Sequence, residues 1–149
     1  MAQTTFTGPI RAGDILYTTG TTLGKDVANV GYAVMTQSSA VTQASGATTI
    51  VIPATSHILS ITLYVTTAWT GAATTLGIGN TVSATAYTAA GAVAGGTIGT
   101  VSASPGADAT RTNNWIDVGT TDRKILVTST NTGSGVGIIT VTYAQARNL

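Results

Sequence analysis

Apolar residues from position 30 onward recur in short runs with a period of two, and small or polar residues separate these runs. A period of two places alternate side chains on opposite faces of an extended chain, so each run predicts a strand with one buried face. Strands are predicted at 30–34, 48–52, 59–66, 75–79, 81–88, 96–102, 115–118, 125–129 and 137–144. Short strands in this number favour one all-β domain, a single antiparallel β-sandwich of jelly-roll-like type.

The alternation also predicts which residues form the core. The predicted core contains Leu59, Ile61, Leu63, Val65, Ile125, Val127 and Val141. Pro53 has no N–H group to donate to a neighbouring strand, so it marks the end of the strand that precedes it.

Small and polar segments predict how the strands connect. Residues 131–135 (NTGSG) tolerate positive φ angles, which predicts a hairpin loop and antiparallel pairing between strands 125–129 and 137–144. Two further segments are predicted as loops: the Ala- and Gly-rich stretch 84–96 and the polar stretch 104–114.

Residues 1–29 differ from the rest of the chain. Gly8, Gly13, Gly20 and Gly24 interrupt them every few positions, and their apolar residues follow no regular spacing. This composition predicts an extended N-terminal arm, followed by the sandwich domain at 30–149. An arm that cannot bury itself against its own domain either stays mobile or lies on a neighbouring molecule.

The composition favours a strand-rich protein with a weakly charged surface. The 149 residues include 32 Thr, no Glu and no Cys, and 7% are charged, whereas globular domains carry roughly a quarter charged residues. β-Branched residues suit a pleated sheet better than a helix. The formal net charge of +1 offers little repulsion between copies. We therefore expect a subunit of an assembly, with part of its surface covered by partners.

No arrangement of reactive side chains predicts catalysis, a metal site or a cofactor. His57 is the single histidine, and without a G-x-S-x-G turn it is interpreted as a hydrogen-bonded strand residue. Ser134 lies between two glycines, as is ordinary in a hairpin loop. Carboxylates for metal binding or glycoside hydrolysis are scattered along the chain, at Asp14, Asp26, Asp108, Asp117 and Asp122. The sequence therefore predicts a protein that is not an enzyme.

Nucleic acid and membranes are also unexpected partners. Among the six basic residues only Arg123 and Lys124 are adjacent, so no basic stripe could follow a phosphate backbone. The most apolar stretch, residues 50–65, is interrupted by Pro53 and His57 and falls short of the ~18 apolar residues that a spanning helix needs. The N-terminus lacks the pattern of a signal peptide, so no export is expected.

Several segments resemble small virion structural proteins of tailed phages. They are residues 6–13 (FTGPIRAG), 42–45 (TQAS), 48–69 (TTIVIPATSHILSITLYVTTAW) and 75–79 (TLGIG), and together they cover about half the chain. Within that group the chain is most similar to capsid decoration, or cement, proteins. The resemblance implies a protein that binds the major capsid protein on the outer surface of the capsid and forms a homo-oligomer, typically a trimer.

The expected function is therefore that of a non-enzymatic capsid decoration protein that stabilises contacts between capsomers on the outside of the virion. The alternative is a phage tail-fibre or receptor-binding domain that recognises host-surface glycan. A groove that combines Tyr or Trp with Asp and Asn favours glycan binding, whereas aromatic residues on a flat surface favour a protein interface. Contacts with the capsid or with a neighbouring copy are predicted in the arm, at Phe6, Pro9, Ile10, Arg11, Asp14, Leu16 and Tyr17.

Overall fold

The structure, a computed structural model, describes residues 32–146, which form eight strands and one short helix. The first four strands are β1 (Tyr32–Thr42), β2 (Gly46–Ile52), β3 (Ser56–Thr67) and β4 (Thr75–Asn80). The remaining elements are β5 (Val93–Ala94), β6 (Gly99–Ser102), helix α1 (Ala109–Ile116), β7 (Arg123–Ser129) and β8 (Val136–Ala146). The predicted all-β class is confirmed.

The strands form two four-stranded antiparallel sheets that enclose one core. One sheet has the order β1-β8-β3-β6 and the other the order β2-β7-β4-β5. The first strand thus pairs with the last, β2 with β7, β3 with β6 and β4 with β5. This pairing scheme arises when a long antiparallel ribbon, in which the first half of the chain pairs with the second half, folds over on itself. The resulting fold is an eight-stranded jelly roll. The predicted jelly-roll-like sandwich is confirmed.

One predicted strand pair is wrong. The sequence predicts that β7 and β8 pair as a hairpin, but they lie in different sheets. β7 pairs with β2 and β4, whereas β8 pairs with β1 and β3. Residues that tolerate positive φ suit a connection between sheets as well as a hairpin, so turn chemistry does not identify the partner of a strand.

The core confirms the predicted residues with one exception. At most 2% of the surface remains exposed for Ile61, Leu63, Val65, Ile125, Val127 and Val141. Leu59, in contrast, is 53% exposed. The pairing of β3 with β8 shifts between Ile58 and Ser60, so Leu59 occupies a β-bulge. The extra residue reverses the alternation, which buries Ile58 and turns Leu59 towards solvent.

The edges of the two sheets meet along β1 and β2, where side chains replace a backbone ladder. The Gln37 amide of β1 donates to the Val51 carbonyl of β2 at 2.7 Å and accepts from the Val51 N–H at 3.2 Å. Two residues along, Ser39 Oγ accepts from the Thr49 N–H at 3.3 Å. Edge strands otherwise leave backbone groups unpaired, so these side chains close one side of the sandwich.

Residues 81–92 cover part of the β2-β7-β4-β5 sheet. A Cβ atom at Gly79 of β4 would collide with the backbone of Ser83 and Ala84. The missing side chain therefore lets this segment lie directly on the strand. The outward side of this sheet is thus partly covered by the protein's own chain.

The strand predicted at 81–88 is wrong, because the chain turns there. The Ser83 carbonyl accepts hydrogen bonds from the N–H groups of Asn80 and Ala86, at 2.9 and 3.2 Å. The loop predicted at 84–96 is irregular apart from the two residues of β5. A run of Ala, Gly and Thr has no clear periodicity, so its local structure depends on what it packs against.

The polar stretch predicted as a loop at 104–114 contains most of α1, and the strand predicted at 115–118 is also wrong because the helix continues to Ile116. Asp108 caps the N-terminus of the helix, since its carboxylate accepts from the Arg111 N–H at 2.8 Å. The preference of Trp, Ile and Val for strands was outweighed by this cap and by contacts with the sandwich.

Two side chains attach α1 to the segment that covers β4. Asn114 Nδ2 donates to the Ala86 carbonyl at 3.0 Å, and Trp115 Nε1 donates to the Tyr87 carbonyl at 2.9 Å. A helix of eight residues is too short to be stable in isolation, so these contacts are needed to hold it.

The opposite end of the sandwich is organised around two buried side chains, Gln43 and Trp69. Gln43 Oε1 accepts from the Thr70 N–H at 2.8 Å and from the Gly135 N–H at 3.2 Å, so one amide joins three loops. Gly135 has no room for a side chain, because a Cβ atom there would collide with the Trp69 indole. Close packing thus explains the second glycine of the GSG sequence.

Candidate functional site

The solvent-facing side of the β1-β8-β3-β6 sheet, here called the outer face, is a broad open surface. The strand register and alternation assign to it Tyr32, Val34, Thr36, Ser38, Ala40 and Thr42 of β1, Val136, Ile138, Thr140, Thr142 and Ala144 of β8, His57, Leu59, Ser60, Thr62 and Tyr64 of β3, and Thr100 and Ser102 of β6. None of these residues is Asp, Glu, Lys or Arg. With His57 neutral, the outer face carries no formal charge.

Large apolar side chains gather at two ends of the outer face. The α1-end cluster consists of Tyr32, Val34 and Leu59, and the loop-end cluster of Tyr64, Val136 and Ile138. The exposed fractions of these six residues lie between 38% and 64%. Scattered apolar residues are normal on a protein surface, but clusters of this kind mark interaction sites.

A belt of hydroxyl side chains separates the two clusters. This hydroxyl belt consists of Thr36, Ser38, Ser60, Thr62, Thr140 and Thr142. The hydroxyls of Thr36 and Thr142 share a hydrogen bond of 3.1 Å, and those of Ser38 and Thr140 share one of 2.9 Å. Hydroxyl groups that bond to one another across strands lose less when a partner displaces water than groups solvated by water alone.

The charged residues of the described part of the chain lie in one stretch, residues 108–124. They are Asp108, Arg111, Asp117, Asp122, Arg123 and Lys124. Three acidic and three basic residues leave this stretch without net charge. It comprises α1, the following loop and the start of β7, so the charges are concentrated at one end of the sandwich.

Each carboxylate in this stretch accepts a hydrogen bond from a backbone N–H group. Asp108 accepts from the Arg111 N–H at 2.8 Å, and Asp117 accepts from the Gly119 N–H at 2.8 Å. Asp122 accepts from the Ala54 N–H at 3.0 Å. These bonds shape a helix start and two turns, so all three side chains have structural roles.

His57 and Ser134 lie at opposite ends of the sandwich and do not meet. His57 Nδ1 and the Ile116 carbonyl are hydrogen-bonded, and the imidazole lies 5.0 Å from the Tyr32 ring between centroids. This agrees with the interpretation of His57 as a hydrogen-bonded strand residue. Ser134 is exposed in the loop that packs on Gln43 and Trp69.

A pocket of about 140 Å³ lies between residues 81–92, α1 and the start of β7. Its polar lining residues already bond to the protein. Asn80 Oδ1 accepts two N–H groups at 2.9 Å, and Arg123 Nε donates to the Val118 carbonyl at 3.2 Å. Burial raises the pKa of the Tyr87 hydroxyl, against opposing effects of the Asn80 hydrogen bond and the Arg123 charge. Because Tyr87 is fully buried, its ring offers no surface on which a sugar could stack.

Two other kinds of site are not found in residues 32–146. No group of three His or Asp side chains lies close enough together there to hold a metal ion. In the same range, no helix combines the length and apolar character required to cross a membrane.

The contact residues predicted in the arm lie outside the described residues, so that prediction stays a prediction. They are Phe6, Pro9, Ile10, Arg11, Asp14, Leu16 and Tyr17. Sequence reasoning did not identify the outer face as a candidate site. A signal for it was present, because Ile138 and Tyr64 are large apolar residues at positions opposite in phase to the core.

Comparisons with known proteins add one structural similarity. No protein-family model matches the chain, and no curated protein matches it. Among solved structures, the chain is similar to a chain of the cyanophage Pam1 capsid asymmetric unit, with 24% identity and a TM-score of 0.47. The alignment covers 83% of this chain and 92% of the other. A likeness at this level assigns neither a fold nor a function.

Proposed function

We propose that the protein is a non-enzymatic decoration, or cement, protein of a tailed-phage capsid. It binds the outer capsid surface and stabilises contacts between capsomers. The observation that carries this proposal is the uncharged outer face, on which six large apolar side chains are 38% to 64% exposed. A free monomer pays for such a surface in unfavourable hydration, whereas a subunit in an assembly can bury it. The resemblance to phage virion proteins over residues 48–79 supports the same role.

The positions of the exposed aromatic residues support a protein interface over glycan recognition. Tyr32 and Tyr64 are 52% and 48% exposed, and both lie on the open outer face among aliphatic and hydroxyl side chains. A sugar site would combine an exposed ring with convergent carboxylates and amides. The pocket that contains Asn80 and Asn114 lacks such a ring. The alternative of a tail-fibre or receptor-binding domain therefore has less support.

In this proposal the partner is the major capsid protein, and the location is the outer surface of the virion. The protein acts as a homo-oligomer, and the trimer remains an expectation from the family resemblance. Tyr32, the first residue that the structure describes, lies near the charged stretch 108–124, since its ring is 5.0 Å from that of His57, which is hydrogen-bonded to Ile116. A tethered second contact raises the effective concentration of the first, so an arm that binds a neighbour would strengthen attachment.

A binding assay on undecorated heads of the phage that carries this chain tests the proposal. Full-length protein at micromolar concentration is mixed with the heads, the heads are sedimented, and the bound copies are counted against the major capsid protein. We expect saturable binding and a higher temperature of head rupture, measured by release of DNA to a fluorescent dye. Absence of co-sedimentation would contradict the proposal.

Two controls distinguish the proposed function from its alternative. A variant that lacks residues 2–24 should melt at nearly the same temperature as the full chain and bind heads more weakly. Equal binding by the two proteins would remove the arm from the capsid contact. In parallel, the protein is incubated with the host cell envelope, and binding to the envelope but not to heads would favour the receptor-binding alternative.

A further inference from the structure

We infer that the outer face is a contact surface between two copies of this chain, related by a two-fold axis. The proposed function rests on burial of the outer face in an assembly; in this inference the molecule that buries it is a second copy, and contact with the capsid uses the predicted arm and other surfaces. The contact between copies is pairwise, so the threefold association expected from the family resemblance would use other surfaces.

The order of side chains along the strands makes the outer face complementary to itself. Only β3 carries all three groups in order, with Leu59 of the α1-end cluster, then the hydroxyl belt, then Tyr64 of the loop-end cluster. β1 carries the α1-end cluster and the belt, and β8 carries the belt and the loop-end cluster.

In a face-to-face pair, the two-fold axis can run along the strands or across them. An axis along β8 places β1 of one copy over β3 of the other at the same height, so each cluster meets its own copy and the two belts meet each other. Val34 then lies near Leu59, Ile138 over Ile138, and Tyr64 over Ala40. An axis across the strands would instead place the α1-end residues of β1 over Ala40 and Thr42, so the proposed axis runs along the strands.

The lack of charge favours a second copy over a charged partner. A partner with Asp, Glu, Lys or Arg at its centre would lose the hydration of those groups and find no ion pair on the outer face. Two copies bury no charge in this contact, because the charged residues of the described chain lie in 108–124, outside the outer face. The paired hydroxyls of the belt likewise bring few unsatisfied groups to the centre.

The size of the outer face is adequate for a specific contact. β1 and β8 have 11 residues each, β3 has 12 and β6 has 4. At about 3.3 Å per residue and about 4.8 Å between strands, they span roughly 600 Å² of flat area. Each partner in a stable complex buries about 800 Å² of accessible surface, which exceeds flat area because side chains project from it.

Charge substitution on the outer face tests the contact by sedimentation velocity over a range of protein concentrations. The wild-type protein should sediment as a concentration-dependent dimer or as a multiple of dimers. Val34→Glu and Ile138→Glu place a charge in one cluster each and should weaken dimerisation at least about tenfold. Val82→Glu is the matched control, since Val82 is 76% exposed but lies in the segment that covers the other sheet. It should dimerise like the wild type.

Cysteine cross-linking tests the same contact without relying on loss of association. The chain has no native Cys, so each introduced thiol reports on one position. Thr140→Cys lies in the hydroxyl belt on β8, beside the proposed axis, and should form a disulfide-linked dimer under mild oxidation. Val82→Cys should cross-link only at the slow rate of random collisions. Circular dichroism and thermal melting check that every variant is folded.

Three outcomes would overturn the inference. They are a wild-type protein that remains monomeric or sediments as a trimer at high micromolar concentration, dimers that persist equally in Val34→Glu and Ile138→Glu, and cross-linking of Val82→Cys that is as fast as that of Thr140→Cys. Head binding is measured separately, so a failure of the proposed capsid function leaves these results unchanged.

Discussion

The two sheets of the sandwich differ in how they present their outward sides. The β2-β7-β4-β5 sheet is partly covered by residues 81–92, which lie on β4 where Gly79 has no side chain. It also includes Arg123 and Lys124 at the start of β7. The β1-β8-β3-β6 sheet has no charged residue on any strand, and exposed apolar residues flank its hydroxyl belt. The same inward alternation builds both sheets, so the difference lies in the outward positions.

This difference separates residues that the fold requires from residues that it leaves available. The fold requires a glycine at position 79, because a side chain there would collide with the backbone of the covering segment. Ile138 and Tyr64, in contrast, are large apolar residues that contribute little to the core. Exposed apolar residues that cluster on one face, unlike single ones, are typical of interaction surfaces.

The largest effect is expected from two adjacent residues of β8 that face opposite sides. Ile139 is fully buried, so Ile139→Ala should lower the free energy of unfolding by about 2–5 kcal/mol through lost burial and a cavity. Ile138 is 41% exposed, so Ile138→Ala should cost less than about 1 kcal/mol. Urea denaturation of both variants under conditions where the protein is monomeric measures the difference. Similar losses in the two variants would show that the outer face belongs to the folding core.

A smaller effect is expected where residues 81–92 cover β4. Gly79→Ala forces the backbone of Ser83 and Ala84 away from the strand and should lower the free energy of unfolding by about 1–3 kcal/mol. Gly46→Ala is the matched control, because a Cβ atom at Gly46 meets nothing within 4 Å. Thermal melting of both variants checks the prediction, which fails if Gly79→Ala is as stable as Gly46→Ala.

The side-chain hydrogen bonds that join the edge strands β1 and β2 should contribute about 1–2 kcal/mol to the free energy of unfolding. Gln37→Ala removes the amide that bonds to both backbone groups of Val51, and leaves those groups without their partner. Hydrogen exchange at the Val51 amide should become faster, and the free energy of unfolding should fall. Ser38→Ala changes the neighbouring residue on the outer face and should lower stability by less than about 0.5 kcal/mol. If hydrogen exchange at Val51 is unchanged in Gln37→Ala, then other contacts hold the edge strands β1 and β2 together.

The smallest effect is restricted to alkaline pH and concerns Tyr87 in the covering segment. Burial raises the pKa of the folded-state hydroxyl above the unfolded value of 10.0. The resulting stability is fully present below the unfolded pKa and is lost as the pH rises through the folded pKa. The wild-type melting temperature should therefore decline above about pH 10. Tyr87→Phe should show a shallower decline over the same range, and equal declines would contradict the assignment.

The sequence alone determined the features that follow from local periodicity and composition. Alternation predicted an all-β sandwich and six core residues, because a strand with one buried face must place apolar residues at every second position. The polar stretch 104–114 and the absence of Asp, Glu, Lys and Arg from 30–107 and 125–146 were also visible in the sequence. Pro53 ended β2 as expected, because its missing N–H group is a property of the residue itself.

Tertiary structure decided the features that depend on residues distant along the chain. The bulge at Leu59 arises from the register of β3 against β8, and no property of Leu59 announces it. β7 and β8 lie in different sheets because their partners are distant in sequence: β7 pairs with β2 and β4, and β8 pairs with β1 and β3. Helix α1 forms at residues that favour strands or loops because Ala86 and Tyr87 accept hydrogen bonds from its side chains.

The outer face required both kinds of information. Periodicity identifies which residues of β1, β3 and β8 point away from the core, but only the strand order brings them together on one sheet. Its two apolar clusters contain residues from different strands, and the hydroxyl belt lies between them through the same register. A surface is a property of neighbours in space, so it becomes visible only once the pairing of strands is known.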